Sequence, residues 1–264
     1  MKNTIKWFGF AALAVVMLAF AACSKPTGGH THTPGAAADC TTAQTCTECG
    51  AVLVAALGHD YNWVVTNAAV YPAQSTGTCS HDGAHTTTHD TAIGDTGPGG
   101  GIIYYVGTFT MTGIGTCHYL EASPADLTGG TGSQATMRWT TATGSPYPAT
   151  TGTLETIGSG KNNTAIIIAA ESAAYPGNSY IYAARACGEY IGGGRDDWFL
   201  PSKDELNEMV KAKTHLGGIS SGWFWSSSQH DDVDTWALLQ QFGLGIQDSA
   251  AKSGLSHVRA IRAF

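Results

Sequence analysis

Glycine, threonine, serine and alanine crowd this chain, and the apolar runs between them are short. Thirty-four of its 264 residues are glycine and 12% are charged. Frequent glycine shortens helices and favours brief strands joined by turns, as in loop-rich extracellular domains. The formal net charge is −7 and no Lys/Arg cluster occurs. No nucleic-acid partner is expected, because phosphate backbones are held by clustered cations.

Lys2 and Lys6 precede a run from Trp7 to Ala22 that carries no charge. That is the layout of a secretory signal peptide, and the run is too short to span a bilayer comfortably. It ends in Leu18-Ala19-Phe20-Ala21-Ala22-Cys23-Ser24. This stretch resembles the lipobox of bacterial lipoproteins, with Phe20 where leucine is usual. The resemblance implies removal of residues 1–22, lipid on Cys23, and a membrane contact made through that lipid alone, at the outer membrane or cell surface. An ordinary signal peptide cut near Ala22 is the alternative. Residues 23–39, with His30 and His32, read as a flexible tether.

Residues 40–92 form a small unit holding Cys40, Cys46, Cys49 and Cys79 with His59, His81, His85 and His89. It resembles a cysteine-rich module of surface proteins in some anaerobic bacteria. The Cys46-Thr47-Glu48-Cys49 pair and Cys79-Ser80-His81 have zinc-like spacing, but an exported chain more often uses cysteine in disulfides. Disulfides are therefore expected, with no metal and no cofactor.

Residues 93–264 are read as the main domain. The turn Gly94 to Gly101 leads into the strand Ile102 to Val106, and Tyr119 to Ala122 is a second strand. Helices are expected at Asn162 to Ala170 and at Tyr180 to Tyr190. A third should follow Ser202-Lys203-Asp204-Glu205, which reads as a capping box ahead of Leu206, Met209 and Val210. Strands follow at Trp223 to Ser228, Thr235 to Phe242 and Val258 to Phe264. The class expected is α+β, with two or three helices and a small, mostly antiparallel sheet. Trp198, Trp225, Trp236 and Phe242 are the expected core, with Arg259 and Arg262 in the closing strand.

Catalytic signatures fail on context. Gly218-Ile219-Ser220-Ser221-Gly222 fits a nucleophile elbow, but that elbow needs a strand before the serine and a helix after it. Here the order is inverted. Gly160-Lys161 lacks the remaining residues of a phosphate loop: Glu155 replaces the first glycine and Asn162 the Ser/Thr. Asp231, Asp232 and Asp234 read as a solvated turn rather than a calcium loop.

The segments Gly94 to Val106, Tyr119 to Pro124, Asp196-Asp197-Trp198-Phe199-Leu200-Pro201-Ser202, Trp225-Ser226-Ser227-Ser228 and Val258-Arg259-Ala260-Ile261-Arg262-Ala263-Phe264 occur in one order. Together they resemble the domain family of the C-terminal domain of the Legionella collagen-like adhesin. The resemblance implies a C-type-lectin-like fold, related to that of formylglycine-generating enzymes. Within the family the chain is most similar to the Treponema variable proteins, targets of diversity-generating retroelements. Such elements randomise adenines, so an AAC codon becomes NNC, which never encodes Trp, Gln, Lys, Glu or Met. From His230 to His257, only Trp236, Gln240, Gln241, Gln247 and Lys252 lie outside that reachable set.

Three functional classes follow: a ligand-binding surface protein, an enzyme of the formylglycine-generating type, and a structural envelope protein. No cysteine follows Cys187, which counts against the enzyme. The tail mixes aspartates with leucines and isoleucine, which suits a binding patch for an unknown protein or glycan at a cell surface. The expected ligand-binding residues are His230, Asp231, Asp232, Asp234, Leu239, Leu244, Ile246, Asp248, Ala250, Ser253, Leu255 and His257, gathered on one exposed face above Trp236 and Phe242. Cys117 and Cys187 are expected within disulfide reach, with two separate buried thiols as the alternative. Wild-type protein is expected to enter the detergent phase on phase partitioning, and Cys23→Ala to stay in the aqueous phase. A wild-type chain found wholly in the aqueous phase refutes the anchor.

Overall fold

The computed structural model describes residues 31–69, 71–129 and 135–264. The segment with the signal peptide and Cys23 lies outside them. Among the described residues no helix is long and apolar enough to cross a membrane. The chain divides into two compact units at Asp60/Tyr61 rather than at residue 92.

In the first unit, β1 (Gln44–Thr45) pairs antiparallel with β2 (Val52–Val54). The Asp39 carboxylate accepts from the amides of Thr41 and Thr42, closing a turn beside buried Cys40. Those amides hold its pKa below the ordinary carboxylate value.

The second unit carries three small antiparallel sheets. β3 (Tyr61–Asn67), β4 (Gln74–Cys79) and β5 (Thr86–Asp90) form the first. β6 (Ile102–Met111), β7 (Gly115–Ala122) and β11 (Ile261–Ala263) form the second, in the order β11-β7-β6. β8 (Trp223–Gln229), β9 (Trp236–Gln241) and β10 (Ile246–Ala251) form the third, in the order β10-β9-β8. The helices are α1 (Gly160–Ala174), α2 (Ala183–Gly188) and α3 (Lys203–Lys211). Eleven short strands against three helices make the described chain mostly β, which corrects the α+β expectation. The helix expected from Tyr180 to Tyr190 shrinks to six residues because the chain is still extended at Tyr182 and the helix ends at Gly188, capped by Glu189.

The first two sheets join through Thr96, which bridges Val64 and Ile102. Val65, Ala73, Ile103 and Tyr119 share a small core against Phe264, and the Tyr119 hydroxyl accepts from the Ala73 amide at 2.9 Å. The strands read as part of a cysteine-rich module therefore belong to the larger unit.

The glycine turn before β6 wraps a buried carboxylate. Glu121 accepts from the amides of Gly99 and Gly101 and from Arg262 Nη1 at 2.8 Å. A Cβ on Gly97 would lie 2.2 Å from Glu121 Oε2, and one on Gly101 would lie 2.3 Å from the Ala122 carbonyl oxygen. Glycine is required there by close approach. Burial nevertheless raises the Glu121 pKa; Arg262 and the two amides oppose the rise.

β8 lies between two cores. Phe224 packs with Tyr104, Leu120, Leu206 and Phe242, while Trp225 packs with Trp139, Ile167, Trp198 and Leu239. Successive strand residues face opposite sides, so a strand buried on both faces shows no polar alternation. Cys117 lies in the first core and Cys187 in the second as separate thiols, so the expected disulfide is absent. Cys117 sits in β7 and Cys187 in α2, in two different hydrophobic clusters.

The capping box at α3 forms as read: Ser202 Oγ accepts from the Glu205 amide, and the Glu205 carboxylate accepts from the Ser202 and Gly158 amides. Full burial pushes Glu205 up to about 7, against these amides, from an ordinary 4.5. A carboxyl with a raised folded pKa stabilises the fold most when protonated. Stability is expected to fall by about 3 kcal/mol as pH rises from 4.5 through 7. Urea unfolding at pH 5 and pH 8 checks this, and Glu205→Gln is expected to lose the difference.

Candidate functional site

The tail is an antiparallel hairpin with fixed supports. β9 runs from Trp236 to Gln241, turns at Phe242 to Gly245, and returns as β10 from Ile246 to Ala251. Gly245 sits at φ +74°, where a side chain is disfavoured. The loop of residues 230–235 precedes β9 at one end of the hairpin, and the four-residue turn closes the other.

The expected site residues separate along this frame. Asp231, Asp232 and Asp234 are exposed in the 230–235 loop, with half-buried His230 at its start. Leu244 is exposed in the opposite turn. Ile246, Asp248 and Ala250 alternate along one face of β10. Ser253 is half-buried and accepts from the Tyr147 hydroxyl at 3.0 Å, and Leu255 is exposed. His257 is half-buried on the edge of β8 away from β9, with its ring 5.2 Å from that of Phe224. The set therefore occupies both ends and both edges of the sheet.

Leu239 is a correction. It is 5% exposed and packs beside Trp225, because the Ala237–Leu239 face of β9 covers a core. Trp236, expected as support, is 42% exposed. Both faces of β9 carry apolar residues, so period alone could not say which turned inward.

The residues outside the reachable set tie the hairpin to the domain. Gln240, almost fully buried, donates to Asn207 Oδ1 and the Gly245 carbonyl. Gln241 donates to the Ser221 carbonyl, and Gln247 to Gln240 Oε1 and the Lys203 carbonyl. Lys252, also buried, donates from Nζ to Gln229 Oε1 at 2.6 Å and Thr150 Oγ1 at 3.0 Å, and lies 4.6 Å from the centre of the Trp139 ring. The side chains of Asp231, Asp232, Asp234, Leu244, Ile246 and Leu255 make no hydrogen bond or ion pair among the described residues. Sequence reading singled out the fixed set but did not foresee that Gln240 and Lys252 would be buried.

A cavity of about 130 Å³ lies beside the loop, lined by Tyr147, Pro148, Thr150, Gln229, Asp234 and Thr235. A cleft of about 460 Å³ lies elsewhere, between Pro124–Thr128 and Tyr190. We favour the smaller one, because the carboxylates of the larger are occupied: Asp126 by Arg259 and the Ser220 amide, Glu189 by Arg185.

Burial raises the pKa of Cys117 and, more strongly, Cys187, keeping both as thiols. Gly218 to Gly222 is a turn whose Gly217 and Gly218 carbonyls accept from Arg259. In the first unit, His32, Cys46 and Cys49 bring ligand atoms within 4.8 Å, with Cys49 Sγ 3.5 Å from His32 Nδ1.

Compared with protein-family models and with curated proteins, the chain matches none.

Burial lowers the Lys252 pKa to about 8 from an ordinary 10.5; Asp234 and Glu171 oppose the shift. A cation with a lowered folded pKa costs stability below that value, and the cost is relieved as pH rises from 8 to 10.5. Wild-type stability is expected to rise across that window relative to Lys252→Met, measured by urea unfolding at pH 7.5 and 10.

Proposed function

We propose that this chain is a lipid-anchored surface protein that binds ligands through its C-terminal hairpin, and that a diversity-generating retroelement varies the segment from about 230 to 257. It acts as a binding protein rather than an enzyme, outside the cell and held through lipid on Cys23. Its ligand is a protein or glycan at a cell surface.

One observation carries this reading. In the tail, four of the five residues that adenine randomisation cannot produce make the side-chain bonds that hold the hairpin: Gln240, Gln241, Gln247 and Lys252. Reachable Asp231, Asp232, Asp234, Leu244, Ile246 and Leu255 project outward and carry none of those bonds. A segment divided this way can change its surface without losing its frame, because exposed substitutions away from such contacts cost within about 0.5 kcal/mol. Exposed Val233 and Trp236 beside the aspartates give the mixed apolar and polar character of a binding surface. The ordered motif set and its resemblance to variable surface domains point the same way.

Two measurements test the proposal. The DNA downstream should hold a near-repeat of the last coding segment beside a reverse transcriptase gene, and its absence sinks the diversification claim. A library randomised at 231, 232, 234, 244, 246 and 255 should stay mostly protease-resistant, whereas one randomised at 240 and 252 should mostly unfold. Equal loss in both libraries would reduce the tail to structure.

A further inference from the structure

A surface whose side chains vary needs a source of affinity that variation cannot remove. The main chain of a sheet edge is such a source. β10 is the outer strand of its sheet and, among the described residues, pairs only with β9. The register continues to Lys252, whose amide donates to the Thr235 carbonyl, so even-numbered residues of β10 turn their backbone groups to β9. Gln247, Ser249 and Ala251 turn theirs outward. The Ser249 amide is covered by Asp248 Oδ1 at 2.8 Å, and the Ala251 carbonyl accepts from Gly254. The Gln247 amide and carbonyl, the Ser249 carbonyl and the Ala251 amide stay on the open edge.

We propose that this edge docks an extended segment of a partner protein as an added strand, and that in this chain the segment is basic. The inference rests on the ligand-binding reading and names its partner class. Main-chain bonds to residues 247, 249 and 251 supply affinity whatever side chains the segment bears. Exposed Ile246 and Asp248, both reachable by diversification, supply selectivity along one face, whereas Ala250 of that face packs against the core. Charge chooses the occupant: exposed Asp231, Asp232, Asp234 and Asp248 form no ion pair among the described residues, and Lys252, on which the Asp234 charge acts, is buried and bonded to Gln229 and Thr150. A second copy of the chain would bring the same carboxylates to the same edge, which disfavours self-pairing.

The probes are a capped six-residue peptide alternating Lys and Val, its Glu–Val counterpart, and a Lys–Val peptide N-methylated at alternate residues. Titrated into the full chain, the Lys–Val peptide is expected to bind roughly fivefold or more tightly than the Glu–Val one, as expected for one or two partly exposed ion pairs. It should slow exchange of the Gln247 and Ala251 amides, and the N-methylated peptide should fail. Asp248→Lys should weaken Lys–Val binding and narrow the preference over Glu–Val while leaving the fold intact. The proposal is overturned if no Lys–Val binding occurs, if the N-methylated peptide binds equally, or if those two amides are unprotected. Self-association that protects the same amides would make the occupant a second copy and overturn it too. The tolerance libraries read folding and not peptide binding, so the broader binding reading stands or falls separately.

Discussion

Everything in the larger unit closes around the buried Glu121 carboxylate. It joins the Gly99 and Gly101 amides of the turn before β6 to Arg262 of β11, and Arg262 Nε reaches on to Asp197. Three distant stretches of sequence are thereby fixed to one another. A buried pair of this kind contributes more to uniqueness than to net stability, since desolvation offsets much of the attraction. Removal of one partner, though, costs about 3–5 kcal/mol by stranding the other charge. Glycines at 97, 99 and 101 follow from that carboxylate, because the turn must come close enough for its amides to reach it.

A second polar knot positions the hairpin. Ser226, Ser227 and Ser228 are fully buried, and each hydroxyl donates to a different segment: Leu238, Pro201 and Leu154 respectively. The Trp139 indole donates to the Ser226 carbonyl at 2.7 Å, and the Trp225 indole to the Met137 carbonyl at 2.9 Å. The irregular stretch from Met137 to Leu154 has little regular structure of its own. It is held by these bonds, which pair its buried backbone groups where no ladder can. A frame built this way leaves the side chains of the outer loop, Asp231, Asp232 and Asp234, outside the hydrogen-bonded frame.

Local rules were legible in the sequence, and tertiary ones were not. The capping box at Ser202/Glu205 and the glycine turn at residues 94–101 depend on neighbours a few residues away, and both form as read. The short helix at Ala183–Gly188, the unit boundary at Asp60/Tyr61 and the separate homes of Cys117 and Cys187 depend on which sheet meets which core. The exposed aspartates of the candidate site were legible from their polarity. The burial of Lys252 was not, because its partners Thr150 and Gln229 are distant in sequence.

Leu239 sets a limit on what diversification can do. It sits among Trp225, Ala237 and Val258 in a core, yet its residue type is reachable by adenine randomisation. Replacing a buried leucine with a small residue costs about 2–5 kcal/mol, and an aspartate there would also be buried without a partner. Most domains have only about 5–15 kcal/mol to lose. A retroelement that randomised this position would thus discard a large share of its variants before any met a ligand. Its cross-strand partner Asp248 shares that face but lies exposed on the edge strand and carries no such cost. On the proposed diversification, the codon at 239 should therefore be protected from randomisation, for instance by lacking adenines in the template, while the codon opposite it is not. Related copies of the tail should keep an apolar residue at 239 and differ freely at 248.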